Sequence, residues 1–204
     1  LAVNAARGMA RMPWLADFEP LAEEECPRVS ILVAARNEAE KIRQAVESWL
    51  ALDYPRFQLE IVAVNDRSTD STGKILDELA ARDPRLKVVH LTELPSGWLG
   101  KSHALTKAYE QASGEWLVLT DADVHFAPDT LRRALHLVQT KRWKHAAGLA
   151  YMEMHGFWEK IIIPYFGLGF ALSEQPWESA NPKSKKYVGV GAFQMIRRSA
   201  YEAV

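Results

Sequence analysis

Two aspartates, Asp121 and Asp123, are the residues of this sequence whose type and spacing point most directly to chemistry. They stand one residue apart, directly after the largely apolar run EWLVLT at residues 115–120. Two carboxylates that leave a buried strand together are costly unless a cation or hydrogen-bond donors compensate their charge. Mg²⁺ is typically held by one or two carboxylates together with phosphate oxygens of a substrate. The pair therefore predicts a divalent-metal site that a bound diphosphate would complete.

Polar residues and a glycine also follow the three preceding apolar runs. They are Arg36, Asn37 and Glu38 after the first run, Asp66 and Arg67 after the second, and Gly100 with Lys101 after the third. In open α/β sheets, ligands bind beyond the carboxyl ends of the strands. We therefore expect these residues and the aspartate pair to face one crevice that binds a ligand.

Several of these positions also have a structural interpretation. Ser68 and Asp70, which follow the second run as well, could instead cap the next helix. Glu38 could stabilise a helix N-terminus through its charge, and Lys101 could be a solvated residue of a first helical turn. The sequence leaves these alternatives open.

The elements that would position these residues follow from the hydrophobic pattern. The predicted strands are residues 29–34, 59–64, 86–91 and 115–120, and the predicted helices are 38–50, 70–81, 101–111 and 128–140. Strands that are apolar on both faces are typical of parallel sheets covered by helices. The alternation of strands and helices predicts an α/β fold with a mostly parallel sheet flanked by helices.

The pattern is less regular at the two ends of the chain. Residues 1–27 are interpreted as a linker or arm before a domain at 28–204, and beyond Thr140 we expect a strand near 146–154, a helix near 157–173 and a strand near 188–196. The apolar run at 161–172 is too short to span a bilayer, which requires roughly 20 residues. It is a core helix or a segment at a membrane surface, and we favour the core helix.

Composition excludes some functions. Lys and Arg total 25 against 26 Asp and Glu, which gives a formal net charge of −1. Nucleic-acid-binding domains normally carry a strong basic excess, so we expect no nucleic-acid partner. Cys26 is the only cysteine, which rules out an intramolecular disulfide and is typical of a reducing compartment.

Three motifs in order resemble the inverting family 2 glycosyltransferases, which have the GT-A fold, a Rossmann-like α/β fold. They are VSILVAARNEAEKI at 29–42, EIVAVNDRSTDST at 60–72 and EWLVLTDADV at 115–124. The resemblance implies a nucleotide-sugar donor and Mg²⁺ or Mn²⁺ as cofactor. It also implies that an acceptor hydroxyl attacks the anomeric carbon and inverts its configuration.

The resemblance assigns roles to the donor-binding residues. Glu38 and Asp66 would contact the nucleoside, which we expect to be uridine, beside the main chain of Ala35. Lys101 would approach the diphosphate. A UDP-sugar is therefore the expected donor.

The resemblance also covers the metal site and the general base. Asp121 would contact the ribose or the ion, and Asp123 would ligate Mg²⁺ or Mn²⁺. In this family the general base is an Asp, usually in a Glu-Asp pair, a short distance beyond the segment that matches residues 201–204. A positioned base contributes about 10²- to 10⁴-fold. These 204 residues do not include that pair. We therefore expect them to bind the donor but to transfer its sugar poorly.

Two further segments look like the branch that glycosylates lipids, including ceramide glucosyltransferases and the hopanoid- and carotenoid-associated enzymes. They are GWLGKSHAL at 97–105 and NPKSKKYVGVGAFQMIRRSAYEAV at 181–204. This likeness implies a lipid acceptor. It also implies a membrane helix before the arm in the full-length protein, and a location at the cytoplasmic face of a membrane.

Three other functions compete with this interpretation. A phosphohydrolase of the haloacid-dehalogenase type also has two aspartates after a buried strand and would use Asp121 as nucleophile, but there the pair follows the first strand. A dinucleotide dehydrogenase needs G-x-G-x-x-G, and GVGAFQ at 189–194 lacks the third glycine. A non-catalytic membrane-surface module would use Lys183, Lys185 and Lys186 beside the apolar run.

His103 and His125 flank the expected crevice, but their spacing is not that of a zinc site.

Overall fold

Four parallel strands form the centre of the fold in the computed structural model, which describes residues 2–181 and 183–203. They are β1 (Val29–Ala35), β2 (Leu59–Asp66), β3 (Leu86–Leu91) and β4 (Trp116–Thr120). Two short strands, β5 (His145–Ala147) and β6 (Gln194–Arg197), extend the sheet in the order β3-β2-β1-β4-β6-β5. β6 pairs antiparallel with β4, and β5 pairs antiparallel with β6. The predicted α/β fold with a mostly parallel sheet is confirmed.

Seven α-helices are assigned among the described residues. They are α1 (Ala2–Met9), α2 (Ile42–Leu50), α3 (Thr72–Ala80), α4 (Gly100–Gln111), α5 (Thr130–Lys141), α6 (Glu159–Glu174) and α7 (Arg198–Tyr201). Helix α2 begins four residues later than predicted, because residues 38–41 form a turn. The strands predicted at 146–154 and 188–196 are much longer than the observed β5 and β6, and α1 and α7 were not predicted.

The central strands are apolar because both of their faces are covered. On one face, Ile31 and Val33 of β1 belong to a cluster that includes Trp49 of α2 and Leu135 of α5. On the other face, Leu32 packs in a second cluster that contains Ala104 and Ala108 of α4. Continuous apolar runs are the expected sequence of strands enclosed in this way.

The segment before β1 is attached to α5 by hydrogen bonds. Arg132 Nε donates to the carbonyl of Leu21 at 2.6 Å, and Arg133 Nη1 donates to the carbonyl of Phe18 at 2.6 Å. Leu21 and Cys26 are buried in the core beneath. The end of the predicted arm is therefore packed against the domain. Leu1, Pro182 and Val204, which fall within the predicted arm and domain, lie outside the described residues.

Helix α6 lies on the surface, and the interpretation of residues 161–172 as a core helix is wrong. Of the residues of α6, only Ala171 is buried. An apolar run indicates that a helix needs an apolar environment, but it does not say whether protein or another medium supplies it. Within the described part of the chain, no helix is both long and apolar enough to cross a bilayer.

A buried carboxylate, Glu60 on β2, ties the amino ends of the strands together. Its Oε1 accepts hydrogen bonds from Ser30 Oγ at 2.6 Å and from the Ser113 backbone N–H at 2.6 Å. Its Oε2 accepts one from Lys87 Nζ at 2.7 Å. Burial raises the pKa of Glu60, but the hydrogen bonds from Lys87, Ser30 and Ser113 outweigh it, so that the pKa falls to about 2.

We predict that Glu60→Gln destabilises the protein by about 2–3 kcal/mol near pH 7, and by progressively less in acid. The folded pKa, about 2, lies below the ordinary value of 4.5. The ionised group therefore stabilises the fold above pH 4.5, and this contribution is lost as the pH falls from there towards 2. Urea unfolding of both proteins between pH 7 and pH 3 measures the difference.

The exposed Glu24→Gln serves as the control, because it removes one carboxylate outside this network. It should change the free energy of unfolding little at any pH. A difference between Glu60→Gln and the unmodified protein that stays constant with pH would contradict the assignment.

Candidate nucleotide-sugar and metal site

A cleft of about 500 Å³ lies at the carboxyl ends of β1, β2 and β4. Its lining residues are Ala34, Ala35, Arg36, Glu38, Asp66, Gly100, Lys101, Asp121, Ala122 and Asp123. Eight of the ten residues proposed from the sequence are among them. The other two, Asn37 and Arg67, are not lining residues. Charged groups from four separate segments of the chain therefore converge on one cleft.

The aspartate pair is held in place by packing beneath it. Ala122, between the two aspartates, is buried, and so is Phe126. The Trp49 indole N–H donates to the carbonyl of Val124 at 3.0 Å, and Ser48 Oγ accepts from the Phe126 backbone N–H at 3.2 Å. These hydrogen bonds attach the segment that follows β4 to helix α2. They therefore hold both carboxylates in position at the cleft.

Each aspartate of the pair contacts a lysine. Lys41 Nζ lies 3.1 Å from Asp123 Oδ2, and the Lys101 ammonium contacts Asp121 Oδ1. The hydrogen bond to Asp123 raises the pKa of Lys41 above its usual value. All four side chains are more than a third exposed. The contacts are therefore weak, and a divalent cation could replace the lysines at these carboxylates.

Asp66 is the most enclosed carboxylate of the cleft. It is 4% exposed, and Arg67 holds both of its oxygens, with Nε at 2.7 Å from Oδ1 and Nη2 at 3.1 Å from Oδ2. Hydrogen bonding to Arg67 lowers the pKa of Asp66 against the opposing effect of burial. A Cβ at Gly100 would lie 2.8 Å from Asp66 Oδ2. Glycine therefore allows the first turn of α4 to approach this carboxylate.

Asn37 joins two turns instead of lining the cleft. Its backbone N–H donates to Ser68 Oγ at 3.0 Å, and its Oδ1 accepts from the Thr69 backbone N–H at 2.8 Å. Asn37 has a φ of 57°, a left-handed conformation that asparagine tolerates better than most residues. Asp70 Oδ1 accepts from the backbone N–H of Thr72, the first residue of α3. The hydrogen bond of Asp70 fits its structural interpretation, whereas Ser68 bonds to Asn37 in the neighbouring turn and does not cap α3.

Sequence reasoning missed two residues at the aspartate pair, Lys41 and Gly191. Lys41 falls within the helix predicted at 38–50, whereas it lies in the turn before α2. Gly191 falls within the incomplete dinucleotide motif, and that motif does not indicate that Gly191 lies beside Asp121. A Cβ at Gly191 would lie 2.6 Å from Asp121 Oδ2, and Thr120 Oγ1 donates to the carbonyl of Ala192 at 2.8 Å. The loop before β6 therefore closes against Asp121.

The donor set at the cleft fits a divalent cation that takes its remaining oxygens from water or from a bound ligand. Asp121 and Asp123 are hard oxygen donors, suited to Mg²⁺ or Mn²⁺. Among the described residues, no group of three or more His, Cys, Asp or Glu side chains could hold a metal by itself. His125 is exposed and is not a lining residue, and His103 is buried in α4. Phosphate oxygens of a bound diphosphate would complete such a site.

We predict that Gly191→Ala weakens nucleotide binding with little loss of stability. The new methyl group displaces the Asp121 carboxylate or the loop, because the separation of 2.6 Å is too short for van der Waals contact. The Asp121 side chain is 38% exposed and can move, so we expect a melting temperature within a few degrees of the original. Calorimetric titration with UDP and Mn²⁺ should show an affinity at least about tenfold lower.

Gly189→Ala is the matched control for this experiment. A Cβ at Gly189 meets only Gln194, at an ordinary distance of 3.6 Å or more. It should leave the affinity unchanged. Equal effects of the two substitutions would show that the close approach of Gly191 to Asp121 does not matter for the ligand.

Comparison with known proteins extends these observations. The model of the family described as Glycosyl transferase family 2 matches residues 30–204. The Beta-monoglucosyldiacylglycerol synthase of Synechocystis sp. is 41% identical over 109 residues, which cover 53% of this chain and 22% of that protein. Probable glycosyltransferase YdaM of Bacillus subtilis is 39% identical over 100 residues, covering 49% of this chain and 24% of that protein. The matched segments span about a quarter of these relatives.

Solved structures share the fold. A mannosyltransferase, PcManGT from Pyrobaculum calidifontis in complex with GDP-Man and Mn²⁺, superposes with a TM-score of 0.70 at 28% identity, covering 98% of this chain and 52% of that one. S. aureus TarS in complex with UDP-GlcNAc gives a TM-score of 0.52 at 27% identity, covering 63% of this chain and 37% of that one. The first match includes nearly all of the present sheet and its helices.

The phosphohydrolase and dehydrogenase alternatives are not supported by these matches. The aspartate pair follows the fourth strand of the chain, and the glycines at 189–191 lie in a loop against Asp121, where no strand leads into a helix as a dinucleotide motif requires. The family match covers both regions. The chain therefore belongs to glycosyl transferase family 2 and has the GT-A fold.

Proposed function

We propose that the cleft binds a UDP-sugar with Mg²⁺ or Mn²⁺, and that the protein transfers the sugar to an acceptor hydroxyl with inversion. One observation carries the proposal. A single cleft, large enough for a nucleotide, is bordered by three kinds of group. They are the buried carboxylate of Asp66, the cationic Lys101 at the start of α4, and the aspartate pair. These are three different chemical environments, suited to a nucleoside, a diphosphate and a metal ion.

Different residues of the cleft would bind different parts of the donor. Glu38 and Asp66 accept hydrogen bonds, as recognition of a uracil N–H or a ribose hydroxyl requires. The main chain of Ala35 would lie alongside the base. The first turn of α4 presents backbone N–H groups and Lys101, and a helix start of this kind favours phosphate. GDP-Man in one structural neighbour and UDP-GlcNAc in another show that both nucleotides occur on this fold.

A metal ion would compete with the two lysines for the carboxylates of the aspartate pair. Asp123 would ligate the ion, and Asp121 would ligate it or contact the ribose. Lys101, freed from Asp121, would then be available to the diphosphate. A divalent cation held there neutralises charge on the diphosphate as its bond to the sugar breaks.

The acceptor proposed is a lipid hydroxyl at the cytoplasmic face of a membrane, with the full-length protein anchored there. The support is the similarity to proteins named Beta-monoglucosyldiacylglycerol synthase, two of which are matched at 41% and 39% identity. An assay of sugar transfer to diacylglycerol tests the acceptor assignment directly.

Thermal unfolding with UDP, GDP, ADP and NAD, each with and without Mn²⁺, tests the donor assignment. A ligand at about 100 times its dissociation constant stabilises a protein by about 2.7 kcal/mol, which is visible as a shift in melting temperature. We expect the largest shift with UDP and Mn²⁺ together. An equal shift with ADP or NAD, or no shift with any nucleotide, would overturn the assignment.

A further inference from the structure

An extended exposed apolar surface is centred on α6. The large side chains of the helix that face solvent are Ile161, Ile162, Tyr165, Phe166, Leu168 and Phe170. The segment before it adds Leu149, Tyr151, Met152, Phe157 and Trp158, all exposed. We call these residues together the α6 surface. Soluble proteins rarely expose so many neighbouring apolar side chains without a binding role.

The sequence of α6 is unsuited to a helix surrounded by water. Pro164 interrupts its hydrogen bonding, and Gly167 and Gly169 each cost about 1 kcal/mol relative to alanine. A Cβ at either glycine would meet nothing within 4 Å, so close packing with the described residues does not explain them. An isolated helix of this length is marginal in water even with good helix formers. An apolar medium must therefore cover it.

Charges are confined to the two ends of this helix. Glu159 and Lys160 begin it and Glu174 ends it, while the twelve residues at 161–172 contain no charged side chain. At about 1.5 Å per residue, these twelve residues extend roughly 18 Å, well short of the roughly 30 Å hydrocarbon core of a bilayer. A helix with this distribution can lie along a membrane surface, where both charged ends reach water and the middle enters the acyl region.

A basic segment adjoins the α6 surface and favours lipid as the covering medium. Lys183, Lys185 and Lys186 are all exposed. Lys186 Nζ donates to the carbonyl of Ser173 at 2.8 Å, which attaches this segment to the last turn of α6. Lysines beside an apolar surface match the negative headgroups of an anionic leaflet. Tyrosine and tryptophan, present here in Tyr165 and Trp158, are enriched at the membrane–water interface.

We propose that the α6 surface and the basic segment together dock on the surface of a bilayer that contains anionic lipid. The chain runs from Lys186 to Gly191 within a few residues, and Gly191 abuts Asp121 of the donor cleft. Docking would therefore bring the cleft close to the membrane, where a lipid acceptor is available. The proposal depends on the surface of α6 and not on the identity of the donor.

Co-sedimentation with vesicles tests this surface. The unmodified chain should sediment with vesicles of equal parts phosphatidylcholine and phosphatidylglycerol, and much less with phosphatidylcholine alone. Changing Lys183, Lys185 and Lys186 together to Ser should weaken binding more than tenfold, because each lysine near an anionic surface contributes about a fivefold factor. Tyr165→Asp with Phe166→Asp should abolish it. Both side chains are at least 70% exposed, so the variants should fold.

Matched controls come from exposed residues outside the α6 surface and the basic segment. Lys74, Arg82 and Lys141 are exposed, and their joint change to Ser removes the same charge. Phe57→Asp changes an aromatic side chain that is 96% exposed. Both should leave vesicle binding intact. UDP-dependent melting shifts, recorded without vesicles, should be unchanged in all variants, which separates this surface from the donor site.

Three results would overturn the proposal. The first is no sedimentation with anionic vesicles, and the second is binding that the α6 and lysine variants retain. The third is a dimer in analytical ultracentrifugation that Tyr165→Asp with Phe166→Asp dissociates, with no vesicle binding by the unmodified chain. In that case a second copy covers α6.

Discussion

Asp123→Asn is expected to remove the effect of Mn²⁺ on UDP affinity. The amide keeps the shape of the side chain but loses the negative charge, and it is a poor ligand for a hard divalent cation. Loss of a residue that supports a metal ligand typically costs about 10–100-fold, so loss of the ligand itself should cost about 10²-fold or more. Calorimetric titration with UDP, with and without Mn²⁺, measures the difference.

This substitution should scarcely affect stability, which makes the result interpretable. The Asp123 side chain is 43% exposed and pairs with Lys41 across 3.1 Å. Exposed ion pairs of this kind contribute about 0–1 kcal/mol. The control is Asp77→Asn on α3, where the carboxylate is 61% exposed and contacts His90. Equal Mn²⁺ dependence in Asp123→Asn and in the control would contradict the assignment of the metal ligand.

Gly114→Ala is expected to destabilise the protein by about 3 kcal/mol, a large loss for the addition of a single methyl group. Gly114 is buried between α4 and β4. A Cβ there would lie 2.5 Å from the backbone nitrogen of Ser30 and 2.8 Å from the carbonyl oxygen of Trp116. Both atoms belong to central strands that cannot move independently. The methyl group would also disturb Ser30 Oγ, which hydrogen-bonds Glu60 and the Gly114 N–H.

Urea unfolding of Gly114→Ala and of Gly169→Ala provides the comparison. Position 169 is on α6, and a Cβ there meets nothing within 4 Å. Alanine has the higher helix propensity, so Gly169→Ala should cause no loss of stability. If Gly114→Ala also unfolds at the original urea concentration, the contact between Gly114 and β1 cannot be as close as the structure has it.

The central half of the fold could be predicted because its strands are enclosed. Runs such as 29–34 and 59–64 are apolar on both faces, and few local structures other than a covered strand suit such short runs. Glu60 interrupts the second run, and the hydrogen bonds that it accepts from Ser30 and Lys87 were not predicted. The sequence could not show that the partners of Glu60 come from other strands and from the segment before β4.

The parts that could not be predicted depend on tertiary neighbours. β6 is shorter than predicted because residues 188–193 form the loop against Asp121, and β5 extends only over the residues that pair with β6. The cleft residues were identified because carboxyl ends of parallel strands meet at one edge of a sheet. Lys41 was missed because its place in a turn depends on where α2 begins. The core position predicted for α6 was wrong because lipid and a protein core both favour apolar side chains, and the sequence does not distinguish them.

The most direct test of the metal-assisted donor site is the position of Mn²⁺ in crystals grown with UDP and MnCl₂. Anomalous scattering from the ion locates it without assumptions about its ligands. We predict one peak at about 2.0–2.2 Å from a carboxylate oxygen of Asp123, with the Lys41 ammonium displaced and the diphosphate beside Lys101. A nucleotide in this cleft without an anomalous peak at Asp123, or a peak elsewhere on the protein, would contradict the account.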